Sequence, residues 1–175
     1  MSDHRQAKRP VTALAGPYGH PLHPMLVAVP IGAWIASLVF DVASHLVPDG
    51  RFLVEGSRWL IALGVLGALA AACVGFLDLF AIPSGTRVHR IALIHMSINL
   101  AVTAAYAVGF VIRGGAPAAA VPFGPLALSV VALTALGVSG FLGGELAYHY
   151  GVRVADEDDQ ASGYGRTSIN VKERL

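Results

Sequence analysis

Charge is scarce in this chain. Of its 175 residues only 13% are Asp, Glu, Lys or Arg, where a soluble domain carries about 25%. What charge there is nearly cancels, at a net +1, so neither a nucleic-acid partner nor an acidic one is expected. Cysteine is scarcer still: the single thiol, Cys73, lies inside an apolar run, forms no internal disulfide and leaves the redox compartment unmarked. The sequence holds no nucleophile elbow, phosphate loop or zinc-protease motif. Its first 24 residues are polar and rich in Gly and Pro, without the apolar core of a cleavable signal peptide.

What fills the chain instead is hydrocarbon. Hydrophobic residues make up 55% of it and the mean hydropathy is +0.63. The apolar residues fall into four runs, 25–45, 57–80, 91–112 and 125–150. Each is near or above the roughly 20 residues that cross a bilayer. The expected fold class is therefore all-α: a polytopic four-transmembrane-helix bundle with both termini on one side. Residues 1–19 read as a loose cytosolic arm, 20–150 as the transmembrane domain, and 151–175 as a polar, mostly disordered tail with the acidic cluster Asp156, Glu157, Asp158 and Asp159. Pro24, at the first helical position, is expected to open the first helix, and Pro30 to kink it mildly.

Four crossings divide the basic residues unequally. Nine fall on the side of the termini (Arg5, Lys8, Arg9, Arg87, Arg90, Arg153, Arg166, Lys172, Arg174) and three on the other (Arg51, Arg58, Arg113). Basic excess marks the cytoplasmic face, which places the chain in a bacterial inner membrane with N-in/C-in orientation and the lipid bilayer as its main partner. Small residues spaced by four, Gly67, Ala71 and Gly75 in the second helix and Gly140 with Gly144 in the fourth, let backbones approach closely. They fit helix packing or a homo-oligomer, although Gly and Ala are common in any membrane helix.

Alternating helix directions carry most of the remaining polar residues to one end. His20 and His23 stand at the start of the first helix, Asp78 near the finish of the second, His89 and His95 at the start of the third, and Glu145 and His149 at the finish of the fourth. At about 1.5 Å per residue, His95 and Glu145 lie about 6 Å below the helix ends. Ionisable groups at that depth are costly unless they face partners inside the bundle. Glu145 and His149, like His95 and Asn99, are four apart and share a face.

These residue types suit a cofactor. His20, His23, Asp78, His95, Glu145 and His149 are the candidate metal ligands, for iron or zinc. Haem b is the other candidate, with axial ligands among His23, His95 and His149, room beside Gly75, Gly143 and Gly144, and Arg87, Arg90 or Arg153 for its propionates. Plainer readings stand beside these. An interfacial histidine is often only solvated or capping, His89 above all. Asp78 could pair with Arg87 or Arg90, and Asp78, His95 and Glu145 could form a hydrogen-bonded cluster without metal. At the far end Asp41 and His45 are four apart, with Arg58 or Arg113 in reach, and an ordinary ion pair is expected there. Trp34 and Trp59 read as packing or interfacial anchors.

The motif His20-Pro-Leu-His23-Pro, followed by Val29-Pro30-Ile31-Gly32 and Asp41, resembles the opening of the bacterial membrane-protein family called domain of unknown function 2231. Gly75-Phe-Leu-Asp78, His95 with Asn99, and Gly143-Gly144-Glu145 through His149-Tyr150-Gly151-Val152 extend the resemblance over roughly residues 17 to 154. It implies a four-helix membrane domain of unestablished activity. Some similar proteins carry an attached Rieske-type iron–sulfur domain, which points to electron transfer. This sequence has no such cysteine–histidine domain, so a redox partner would be a separate protein. Three functions follow as expectations: a redox subunit holding haem b or a non-haem metal, a metal-dependent membrane hydrolase with Glu145 or Asp78 as base, and a non-catalytic assembly or accessory subunit.

Overall fold

A computed structural model describes residues 3–16, 20–115 and 118–164. After a short helix α1 (Asp3–Gln6), the first crossing is built from two pieces, α2 (Leu22–Leu26) and α3 (Ala28–Ala43). The others are α4 (Arg51–Leu79), α5 (Arg87–Ile112), and α6 (Phe123–Gly144) continued by a π-turn over Glu145–His149; α7 (Glu157–Ser162) follows. The four crossings are 22, 29, 26 and 27 residues long and apolar enough to span a membrane. No strand occurs among the described residues.

The helix boundaries depart from the apolar runs for identifiable reasons. α4 and α5 start earlier than expected, at Arg51 and Arg87, because charged residues leave the lipid without leaving the helix. Thr86 caps α5, its hydroxyl accepting from the His89 N–H at 3.1 Å. The first crossing opens at Leu22 behind Pro21, so Pro24 sits in the first turn rather than at its head. Amides there have no intrahelical partner, and proline is tolerated. The break at Val27 has a cause three residues on: Pro30 has no N–H to give the Leu26 carbonyl, and its ring crowds it. The interruption is one residue wide: Val27 keeps right-handed helical angles, its N–H bonds the His23 carbonyl at 3.1 Å, and its own carbonyl accepts from Ile31 at 3.3 Å, so the crossing runs on through it.

Sequential helices pack as neighbours, and α3 also packs on α6, closing the bundle. Its centre is Trp34 on α3, stacked on Tyr106 of α5 with centroids 4.2 Å apart and planes 6° apart, against Ile61, Val102 and Ala132. Gly64 makes this possible: a Cβ there would lie 2.2 Å from the Trp34 indole nitrogen. The expected small-residue face of α4 is used within the chain. Gly67 packs on Val29 and Pro30, and Gly75 on His23. That of α6 is not: among the described residues a Cβ on Gly140 would meet nothing within 4 Å and one on Gly144 only Tyr148, while Gly143 faces His95. Large apolar side chains such as Leu66, Trp59, Val111 and Phe141 point outward. Hydrocarbon accepts such a surface and water would not. Trp34 is therefore a packing residue, and Trp59 lies on the outer surface.

The stretches read as a loose arm and a disordered tail meet each other at one end of the bundle. The Arg153 N–H donates to the Ala7 carbonyl at 3.0 Å, Lys8 to the Ala155 carbonyl at 3.3 Å, and Ala15 is fully buried. The acidic cluster lies at the start of α7, with Glu157, Asp158 and Asp159 in its first turn, where the helix dipole favours negative charge. Composition does not register these contacts, because the acceptors are backbone carbonyls. The expectation of disorder for 165–175 lies outside the described residues.

Candidate functional site

Two of the candidate histidines meet inside the bundle. His23, on α2, is half-buried and places Nδ1 2.9 Å from the Ala71 carbonyl of α4. His95, on α5, places Nδ1 2.8 Å from the Ser139 carbonyl of α6. A carbonyl only accepts, so both Nδ1 atoms carry a hydrogen, and in the neutral ring Nε2 is the atom with the lone pair. The two rings face each other edge-on, centroids 6.4 Å apart and planes at 82°. Each lies against a glycine: a Cβ on Gly75 would come within 2.8 Å of the His23 ring, and one on Gly143 within 3.0 Å of His95. Asn99, one turn along α5, directs its Nδ2 to the His95 Nε2 at 3.2 Å and to the Ser139 hydroxyl at 2.6 Å.

Asp78 is near this pair but spoken for. Its carboxylate lies 2.9 Å from Nε of Arg153, with 11% and 5% of the two side chains exposed. Arg153 adopts a left-handed backbone, φ 60°, uncommon for a residue with a side chain. Its Nη2 donates to the Ala15 carbonyl at 3.1 Å. Asp78 therefore pairs with Arg153, where Arg87 or Arg90 was expected, and both of those are exposed.

The other candidates do not join. Glu145 opens the π-turn, which closes with the Tyr150 N–H on the Glu145 carbonyl at 3.1 Å. Among the described residues no hydrogen bond or ion pair joins Glu145 to His149, the partners that their spacing of four had suggested. Among the described residues Glu145 makes no ion pair. His149 is exposed, edge-on to Tyr150 at 4.6 Å. His20 is exposed at the mouth of a cleft outside the bundle. His89 leaves Nδ1 buried without a protein partner among the described residues. The expected Asp78–His95–Glu145 hydrogen-bonded cluster is absent among the described residues, because His95 spends its ring nitrogens on Ser139 and Asn99. Nor do any three His, Cys, Asp or Glu among the described residues form a group that could hold a metal ion. The partners that sequence reasoning missed are the carbonyls of Ala71 and Ser139, which every residue possesses. The one available signal was Ser139 itself, a fully buried polar residue in an apolar run.

At the far end the expected ion pair forms, with Arg113 and not Arg58. Arg113 Nη2 lies 2.7 Å from Asp41 Oδ2, both side chains all but inaccessible. Ser57 donates to the other carboxylate oxygen, and Arg113 also reaches the Ser129 hydroxyl at 3.1 Å and the Pro125 and Gly109 carbonyls. Arg58 instead lies over the Phe110 ring at 4.7 Å, and His45 turns outward onto Phe123, centroids 5.2 Å apart.

Four apolar crossings around a buried polar pair at either end define a class, the small helical membrane proteins. Over residues 19–156 the sequence matches the model of DUF2231, a family described as a predicted membrane protein, and the chain belongs to that family. The match takes in the paired histidines, Asp78, Arg153 and the Asp41–Arg113 pair. No curated protein and no solved structure matches the chain.

Proposed function

We propose that this protein is an electron-transfer subunit that holds haem b between His23 and His95. The observation that carries the reading is the pair of imidazoles from separate helices, each with Nδ1 committed to a carbonyl and Nε2 left as the basic atom. Histidines that bind metals commonly donate their other ring N–H in this way. A haem iron receives four nitrogens from its porphyrin and needs only axial ligands from protein. His23 and His95 would be the residues that hold the haem, each from its own helix, with their rings 6.4 Å apart between centroids. The missing Cβ atoms of Gly75 and Gly143 leave the ring edges uncrowded. Asn99 would have to release Nε2 of His95 on binding.

A bare iron or zinc ion needs a third protein ligand, and His23 with His95 offers two. This favours haem over the non-haem metal and over the zinc hydrolase reading. The haem would supply one-electron chemistry. The protein would supply the two imidazoles, a low-dielectric setting, and Arg153 as the nearest buried cation. The basic excess at the end shared by the termini supports a cytoplasmic site in a bacterial inner membrane, with a separate redox protein as partner.

The test is an absorption spectrum and metal analysis of detergent-purified protein expressed with haem available. A strong Soret band at one haem per chain, lost in both His23→Ala and His95→Ala and kept in His149→Ala, is the expected result. Colourless protein with stoichiometric zinc would replace this reading with the hydrolase. Colourless, metal-free protein that folds normally as His95→Ala would leave the accessory-subunit reading.

A further inference from the structure

We propose that the cleft between the two terminal segments binds a zwitterionic phosphoester of the phosphoethanolamine type. The cleft has a volume of about 430 Å³ and lies at the end of the bundle where the arm and the tail meet. Its charged lining is Lys8, Arg9, His20 and Arg153 together with Asp156 and Asp159. Both signs are therefore present in one small space. A simple anion would meet the two carboxylates, and a simple cation the three permanently charged bases. A molecule with a phosphate and an ammonium a few bonds apart answers both.

A second observation points to a ligand. Arg153 sets Nε 2.9 Å from Asp78 Oδ1 as an ion pair and gives Nη2 to the Ala15 carbonyl, but neither Nε nor Nη1 has a hydrogen-bond partner among the described residues, although only 5% of the side chain is exposed. Buried guanidinium donors are rarely left unpaired. Its left-handed backbone, held by the Ala7 and Ala15 carbonyls, is the kind of local strain that collects at binding sites. The neighbouring Lys8–Asp156 contact, at 3.8 Å, is longer than a hydrogen bond and leaves both groups able to take another partner. Phosphate on Arg153, Arg9 and Lys8, with ammonium on Asp159 and Asp156, matches the lining. The cleft sits beside the end of a spanning helix, the level at which lipid headgroups lie.

The experiment is native mass spectrometry of the full chain, delipidated in detergent and titrated separately with phosphatidylethanolamine, phosphatidylglycerol, soluble phosphoethanolamine and inorganic phosphate. The expected result is preferential retention of phosphatidylethanolamine over phosphatidylglycerol. That retention should fall about threefold in each of Arg9→Gln and Asp159→Asn, the scale of one exposed ion pair. Both side chains are exposed, so folding is not at stake. Displacement of the lipid by soluble phosphoethanolamine would mean that the headgroup alone suffices and a soluble source serves. Retention without such competition would assign the membrane lipid. Equal binding of phosphatidylglycerol or inorganic phosphate, or variants indistinguishable from wild type, would overturn the proposal.

Discussion

Whether a glycine matters here depends on what faces its missing Cβ. Gly64→Ala drives a methyl into the Trp34 indole and is expected to lower stability by about 1–3 kcal/mol, the usual cost of overpacking. Gly140→Ala meets open space and should be neutral or slightly stabilising, since alanine is the better helix former. Thermal melts of the two variants in one detergent check both, and equal behaviour would contradict the packing described. The buried ion pair is a sharper case. Asp41→Ala strands the Arg113 charge in a site with no solvent access, for an expected loss of about 3–5 kcal/mol. The double variant Asp41→Leu with Arg113→Met removes both charges and should recover much of that loss. A double variant no more stable than Asp41→Ala would show that the serines and carbonyls around the pair, not the charges, decide the site.

Two irregular elements set where the polar groups point. Pro30 interrupts the first crossing at Val27, one residue after the carbonyl it leaves unpaired, and α2 beyond it carries His23 onto Ala71 and Gly75. Pro30→Ala restores a donor for the Leu26 carbonyl. The expected outcome is slower amide exchange over 28–31, read by hydrogen-exchange mass spectrometry. Unchanged exchange would mean that packing rather than proline divides the helix. The π-turn acts in the opposite sense at the other helix end. Its last residue, His149, lies on the surface beside Tyr150.

The molecule as a whole is joined at its ends. Lys8 and Asp156 come from opposite ends of the chain and approach to 3.8 Å. Carbodiimide treatment should couple them within one chain and release the corresponding cross-linked peptide on digestion. Lys8→Gln should abolish that product, and its absence in wild type would show that arm and tail part in solution. Reporter fusions at residues 1 and 175 should report the same face of the membrane, the cytoplasmic one if the basic excess governs insertion.

The sequence by itself determined the number of crossings, their approximate extent and the family. A run of about 20 apolar residues has one low-energy fate in lipid, and each of the four can be read without reference to the others. It also brought His23 and His95 to one end, since chain direction alternates with each crossing. Only the tertiary structure decided which polar groups touch. It joined Asp78 to Arg153 across 75 positions of sequence, tied the two imidazoles to the carbonyls of Ala71 and Ser139, and kept Glu145 and His149 apart from them. The physical reason is that hydropathy sums over a segment, whereas a hydrogen bond depends on helix rotation to within a fraction of a turn. That rotation here follows from a proline, a π-turn and a few glycines acting on neighbouring helices.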